Sequence, residues 1–224
     1  MTVRLAFLHG FAGTPDVWSD IELAGVRVAL PGHGSDDVAP TWGDNLALVA
    51  RQIGDVDAVV GYSLGARVAL GLVAEGLVPR AVLISVNPGI EDDAREPRRI
   101  HDAAWAAMLR ERGIETFIHA WEAQPLFASQ ARVDPARRAA RLARRLQLDA
   151  DQLARSFEVM GLAEMPDYRR AIDERVALIA GADDPKYVHI AEAYAVQREI
   201  IRASGHDPTL EQPAALAAAI TRCL

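Results

Sequence analysis

The stretch Val59-Val60-Gly61-Tyr62-Ser63-Leu64-Gly65-Ala66-Arg67-Val68-Ala69-Leu70 decides the fold. The run 57–60 is short, apolar and rich in β-branched residues, which predicts a buried strand. Val68-Ala69-Leu70, with Leu72 and Val73, has helical spacing. Between them lies Gly-x-Ser-x-Gly. At so tight a strand-to-helix turn the serine takes a strained backbone conformation. The flanking glycines remove side chains that would strike the neighbouring elements. Such a turn carries the serine hydroxyl to the carboxyl edge of a sheet, beside a helix N-terminus where negative charge is favoured. The alternative is an ordinary strand–helix loop whose serine only caps the helix.

Outward from this turn the chain alternates. Strands are predicted at Arg4–Leu8, Val26–Leu30, near 57–60, at Arg80–Ser85, Val176–Gly181 and near Gln197–Ile201. Helices are predicted from Thr41 to Ile53, from the turn to about Glu75, and from about Pro213 onward. Alternation of this kind implies an α/β fold, here about six parallel strands wrapped by helices. The rhythm breaks near Ile90. Residues 91–165 contain no clear strand, whereas Ala103-Ala104-Trp105, Met108-Leu109, Phe117-Ile118, Trp121, Leu142, Leu146, Leu153 and Phe157 have helical spacing. They read as a helical insertion, a lid over the carboxyl edge of a core made of residues 1–90 and 166–224.

Composition narrows the function. A net charge of −7 argues against nucleic acid as a partner. No apolar run approaches the roughly 20 residues of a membrane span. Met1-Thr2-Val3-Arg4 leads into a strand without a signal-peptide pattern, which predicts a cytoplasmic protein. The single cysteine, Cys223, excludes an intramolecular disulfide and a cysteine-based metal site. Residues 91–160 hold 12 Arg against 12 Asp and Glu, so this stretch is neutral and the rest of the chain carries the whole charge.

Ser63, Asp184 and His206 each fall just beyond a predicted strand, and strand ends on one edge of a parallel sheet converge. A serine hydroxyl is a poor nucleophile until a neighbour takes its proton. His206 would do so, and a carboxylate would hold the imidazole in the right tautomer. Asp183 is the rival for that carboxylate. His33 is a second histidine in a strand-end loop, but its place between Gly32 and Gly34 points to a structural role.

Serine, acid and histidine in this chain order, the Gly61–Gly65 turn, the His9-Gly10 loop and Gly205-His206 resemble the α/β-hydrolase superfamily. Gly61-Tyr62-Ser63-Leu64-Gly65-Ala66-Arg67, Asn87-Pro88-Gly89, Arg98-Arg99-x-x-Asp102-x-x-Trp105-Ala106 and Phe117-x-x-x-Trp121-x-x-x-Pro125-Leu126-Phe127 are similar to the 2-succinyl-6-hydroxy-2,4-cyclohexadiene-1-carboxylate synthases. Those are pyruvate-eliminating lyases of menaquinone biosynthesis. The resemblance implies a Ser63–Asp184–His206 triad and an oxyanion hole from the backbone amides of Phe11 and Leu64. It implies substrate contacts from Tyr62, Arg67, Arg98, Trp121 and Arg145, with Arg141 and Arg144 as rivals for the last. Helical spacing alone would assign Trp121 to lid packing.

The implied reaction is a carbon–oxygen lyase step. His206 activates Ser63, Ser63 removes a proton α to a carbonyl, and pyruvate leaves a succinyl-cyclohexene carboxylate. It calls for a small anionic substrate and for no metal or organic cofactor. A serine esterase or thioesterase acting on a small acyl substrate is the alternative. The run His206-Asp207-Pro208-Thr209-Leu210 departs from the resemblance, which has Asn after the histidine and a second His shortly beyond.

Overall fold

A computed structural model describes residues 3–34 and 36–224. Met1 and Thr2, read above as the lead into the first strand, lie outside the described residues. Six strands form one sheet: β1 (Leu5–Leu8), β2 (Val26–Val28), β3 (Ala58–Tyr62), β4 (Ala81–Ile84), β5 (Val176–Gly181) and β6 (Arg198–Ile201). All neighbours pair in parallel, in the order β2-β1-β3-β4-β5-β6. The four central strands are buried along their whole length, as expected of a parallel sheet covered on both faces.

Side-chain alternation sorts the strands between two cores. Ala6, Leu8, Val59, Leu83, Leu178 and Ala180 pack against α1 (Trp42–Ile53) and α2 (Leu64–Ala74). Leu5, Phe7, Val60, Val82 and Ile179 pack against α8 (Pro213–Cys223) and the 3₁₀ turn Pro15–Trp18. Each face alone would leave the other wet, so helices on both sides are what the sequence of these strands demands.

Strand order reverses between β1 and β3, since the chain leaves β1 toward β2 and returns on its far side. The carboxyl ends flanking that switch leave a crevice, where open α/β sheets bind ligands. Three non-glycine residues with positive φ stand at the ends of adjacent strands: Ala12 after β1, Ser63 after β3 and Ser85 after β4, each at φ 52°. Strain of this kind is held in place only where surrounding structure over-determines it.

Between β4 and β5 the chain makes α3 (Asp92–Glu122), broken at Gly113 (φ 77°), a 3₁₀ segment Pro125–Arg132, α4 (Pro135–Arg145) and α5 (Ala150–Met160). Their apolar residues form a third core around Ala106, Leu109, Phe117, Ile118, Leu153 and Phe157. Phe11, from the loop after β1, joins it, its ring 4.2 Å from Phe157 and 5.3 Å from Trp121. No helix among the described residues is long and apolar enough to cross a membrane.

Two short helices were not anticipated: α6 (Pro185–Glu192) and α7 (Pro208–Glu211). Each begins at an Asp-Pro pair, Asp184-Pro185 and Asp207-Pro208, with the aspartate as N-cap and the proline in the first turn. The predicted strand at Val26–Leu30 stops at Val28.

Candidate active site

Ser63 stands where β3 turns into α2. Its N–H donates to Ile84 O on β4 at 2.9 Å, and its carbonyl accepts from Arg67 N–H at 3.1 Å. Those bonds hold it at φ 52°, ψ −107°, an N-cap position in which its side chain makes no capping bond. The turn is closed by backbone contact. A Cβ on Gly65 would lie 2.3 Å from Leu8 O, and one on Gly61 the same distance from Gly65 O. A side chain at either site would push α2 off the sheet.

The hydroxyl released from capping meets His206. Ser63 Oγ is 3.2 Å from His206 Nε2, and His206 Nδ1 is 2.9 Å from Asp184 Oδ2. Asp184 and His206 are both buried. Asp184 is held by its own cap, since Oδ1 accepts from Tyr187 N–H at 3.4 Å and leaves Oδ2 for the imidazole. Asp183 points elsewhere, paired with Arg132 at the surface. The structure therefore brings Asp184, and not its neighbour, to the histidine. With Nδ1–H donated to the carboxylate, Nε2 is left to accept the serine proton.

A cavity of about 320 Å³ opens over this chain of bonds. Tyr62, Arg67, Arg98, Trp121 and Arg145 all line it, together with Phe11, Ser63, Leu64 and His206. The backbone N–H groups of Phe11 and Leu64 donate to no acceptor among the described residues. Of Arg141, Arg144 and Arg145, only Arg145 lines this cavity. Arg141 turns to Asp207 at 2.9 Å and Arg144 to Asp16 at 3.5 Å.

The three arginines are only partly satisfied by protein. Arg67 Nη1 donates to Met160 O at 2.9 Å, and its guanidinium lies 6.0 Å from the Trp42 ring centroid. Burial, then the nearby Arg98 charge, pulls its pKa down to about 10, so it stays cationic at neutral pH. Arg98 uses Nε for both oxygens of buried Asp102, at 2.8 and 2.9 Å, and its Nη groups have no partner among the described residues. Arg145 gives Nη1 to Glu122 at 2.6 Å, while its buried Nε has no partner among the described residues. A guanidinium carries five donors, and most of these fifteen meet no acceptor among the described residues, in a cavity that Phe11, Tyr62, Trp121, Phe127, Phe157 and Tyr187 also line.

Sequence reasoning missed Lys186 and Tyr187, which also line the cavity. The Tyr187 ring centroid lies 4.6 Å from that of His206. Lys186 is the only lysine in the chain, and burial pulls its pKa down. Their signal was the Asp-Pro helix start immediately before them. His9 and His33 are structural. His9 bridges two loops, with Nδ1 2.8 Å from Gly10 O and Nε2 accepting Leu30 N–H at 3.0 Å. His33 Nδ1 is 3.0 Å from Pro31 O.

A family model for the alpha/beta hydrolase family matches residues 5–219. The chain belongs to the α/β-hydrolase family. Among α/β-hydrolase relatives, the 2-succinyl-6-hydroxy-2,4-cyclohexadiene-1-carboxylate synthase of Enterobacter sp. (strain 638) is 32% identical, over 98% of this chain and 91% of that protein. The enzyme of the same name from Salmonella newport (strain SL254) is 30% identical, over 100% and 94%. Among solved α/β-hydrolase structures, MenH from S. aureus superposes with a TM-score of 0.89 at 26% identity, covering 100% of this chain and 94% of that one.

Proposed function

We propose that this α/β-hydrolase is a carbon–oxygen lyase of menaquinone biosynthesis that eliminates pyruvate from a succinyl-cyclohexene carboxylate, with residues 91–165 as the lid over its site. The observation that carries the reading is the convergence of Arg67, Arg98 and Arg145 on the cavity of Ser63. A simple acyl pocket has little use for three cations. A polycarboxylate needs them, because bidentate N–H···O pairs from arginine both neutralise and orient it. The names of the relatives at 30% and 32% identity point to the same substrate class.

The proposed chemistry follows from the hydrogen-bonded chain. His206 Nε2 takes the Ser63 proton as Ser63 Oγ withdraws the proton α to the succinyl carbonyl. The electron pair of that C–H bond forms a new ring double bond, and the C–O bond to the departing group breaks. The group leaves as the enolate of pyruvate, which takes the proton that His206 accepted and becomes pyruvate, and so returns the imidazole to its neutral form. The ring is left as a conjugated diene, and no water is consumed. Charge that develops on the carbonyl oxygen is met by the Phe11 and Leu64 amides, a class of interaction worth about 3–4 kcal/mol per donor. Asp184 keeps Nδ1 protonated and stabilises the imidazolium.

The experiment is a side-by-side assay of pyruvate release from the menaquinone intermediate and hydrolysis of a short neutral ester. Pyruvate release dominating supports the lyase. Rapid ester cleavage without pyruvate assigns the same three residues to a serine esterase.

A further inference from the structure

Two carboxylates flank His206, and both are tied to the helical segment between β4 and β5. Asp207, the next residue, is fully buried. Its Oδ2 accepts from Arg141 Nη1 of α4 at 2.9 Å, and that arginine side chain is only 11% exposed. Arg141 Nη2 also reaches Thr209 Oγ1 at 3.3 Å, and Thr209 Oγ1 donates to Asp207 Oδ1. Four residues on, Glu211 accepts the Gly205 N–H, the Asp207 N–H at 3.4 Å, and Ser129 Oγ–H at 3.0 Å from the 3₁₀ segment. Gly205 is what allows that approach, since a Cβ there would sit 2.1 Å from Ser129 Oγ. The histidine loop is thus gripped on both sides of His206 by residues of another part of the chain.

Surface ion pairs of this kind mean little for stability or function. This one is different in burial. Asp207 has no exposure, so its charge relies on Arg141 for compensation. The pair also fixes position, since moving α4 away would strand the carboxylate and release the loop. Arg145, one turn further along α4, lines the cavity. The same helix therefore presents one arginine to the cavity and another to the residue beside His206.

We propose that Arg141 and Ser129 are positioning residues for His206: seating of the helical segment on Asp207 and Glu211 sets the reach of His206 to Ser63, so that an anion gripped by Arg145 favours the aligned arrangement. The inference rests on the reading of Ser63 and His206 as nucleophile and base. It adds to that reading a link from the anion-binding helix to proton transfer.

The test measures the rate at which a small neutral fluorophosphonate labels Ser63. That reaction depends on the aligned histidine and makes no use of the cavity arginines. The variants are Ser129→Ala, Arg141→Lys, and Arg141→Met paired with Asp207→Asn. The pair removes both charges, so no buried carboxylate is left unpaired. Labelling and kcat for pyruvate release are expected to fall about 10- to 100-fold in the paired variant, and less in the two single ones, with KM within about two-fold, because misalignment near 1 Å costs that much without altering substrate contacts. Arg141→Lys is expected to recover more than the paired variant. Folded variants that all label at the wild-type rate would overturn the positioning role and leave the Ser63 reading intact. A wild type that is not labelled, or a Ser63→Ala protein labelled as fast, would overturn the reading beneath it.

Discussion

Ser63 occupies the N-cap position of α2 and caps nothing; its Oγ turns to His206 Nε2, 3.2 Å away. A serine at a helix start ordinarily satisfies one of the free N–H groups there. Here the strained backbone points the hydroxyl out of the helix axis toward the cavity, and the Leu64 N–H meets no acceptor among the described residues. Structure that would otherwise stabilise the helix is given to the site.

Replacing Ser63 by alanine therefore removes no cap. Ser63→Ala is expected to melt within a few degrees of the wild type and to lose at least about 10³-fold in kcat, since the serine and histidine act as a unit. Circular dichroism melting and the pyruvate assay check the two halves. More than a tenth of wild-type turnover would remove Ser63 from the mechanism.

Asp184 and Asp183 are adjacent and do different things. Asp184 holds the Nδ1 proton of His206 at 2.9 Å, whereas Asp183 pairs with Arg132 at the surface. Asp184→Asn is expected to lower kcat by about 10⁴-fold, the effect of the wrong imidazole tautomer. Asp183→Asn is expected to keep full turnover and to cost less than about 1 kcal/mol of stability, as exposed ion pairs do. Steady-state kinetics on both variants decides the assignment, and the reverse order of activities would reassign the acid.

Two of the cavity arginines separate binding from stability. Arg67→Ala breaks one bond to Met160 O and a contact with Trp42, and is expected to cost roughly 2–4 kcal/mol in kcat/KM through the lost anion contact. Arg98→Ala is expected to show a similar kinetic loss and in addition a lower melting temperature. It leaves buried Asp102 without its guanidinium, at about 2 kcal/mol. Lysine at either site is expected to restore part of kcat/KM only, because it lacks the planar fork. Unchanged kcat/KM in both alanine variants would remove the polyanion from the account.

His9 and His33 give a pH signature independent of catalysis. Burial pulls His9 down to about 3, with the neighbouring His33 adding to the effect, and burial pulls His33 down to about 4. The unfolded chain protonates both near pH 6.5, while the folded protein excludes those protons. Stability from this source is complete above pH 6.5 and is lost as pH falls from there toward 4, by roughly 1 kcal/mol per pH unit for each histidine. Urea unfolding at pH 7 and pH 5 reads the difference. Equal unfolding free energies at the two values would show that these rings are hydrated in the folded state.

Much of this was legible in the sequence, and the reasons differ by element. The strands could be read because both faces of each central strand are buried, which writes a short unbroken apolar run. Ser63 and His206 could be read because glycines mark the close approaches around them. The cavity arginines could not be read from spacing. Arg141, Arg144 and Arg145 share four residues of one helix, and only tertiary contacts with Asp207, Asp16 and Glu122 sort them. Tyr187 and Lys186 were hidden because α6 is a two-turn helix, too short for a periodic signal. Asp207, which departs from the expected Asn, makes sense only beside Arg141, 66 residues away.

The central claim is that Ser63 begins an elimination. Its most direct measurement follows pyruvate and the conjugated diene together, in one reaction of the wild type with the succinyl-cyclohexene carboxylate intermediate. The account predicts that both appear in a 1:1 ratio, that both vanish in Ser63→Ala, and that a short neutral ester is cleaved far more slowly. Fast cleavage of the neutral ester, with neither pyruvate nor diene formed, would contradict it.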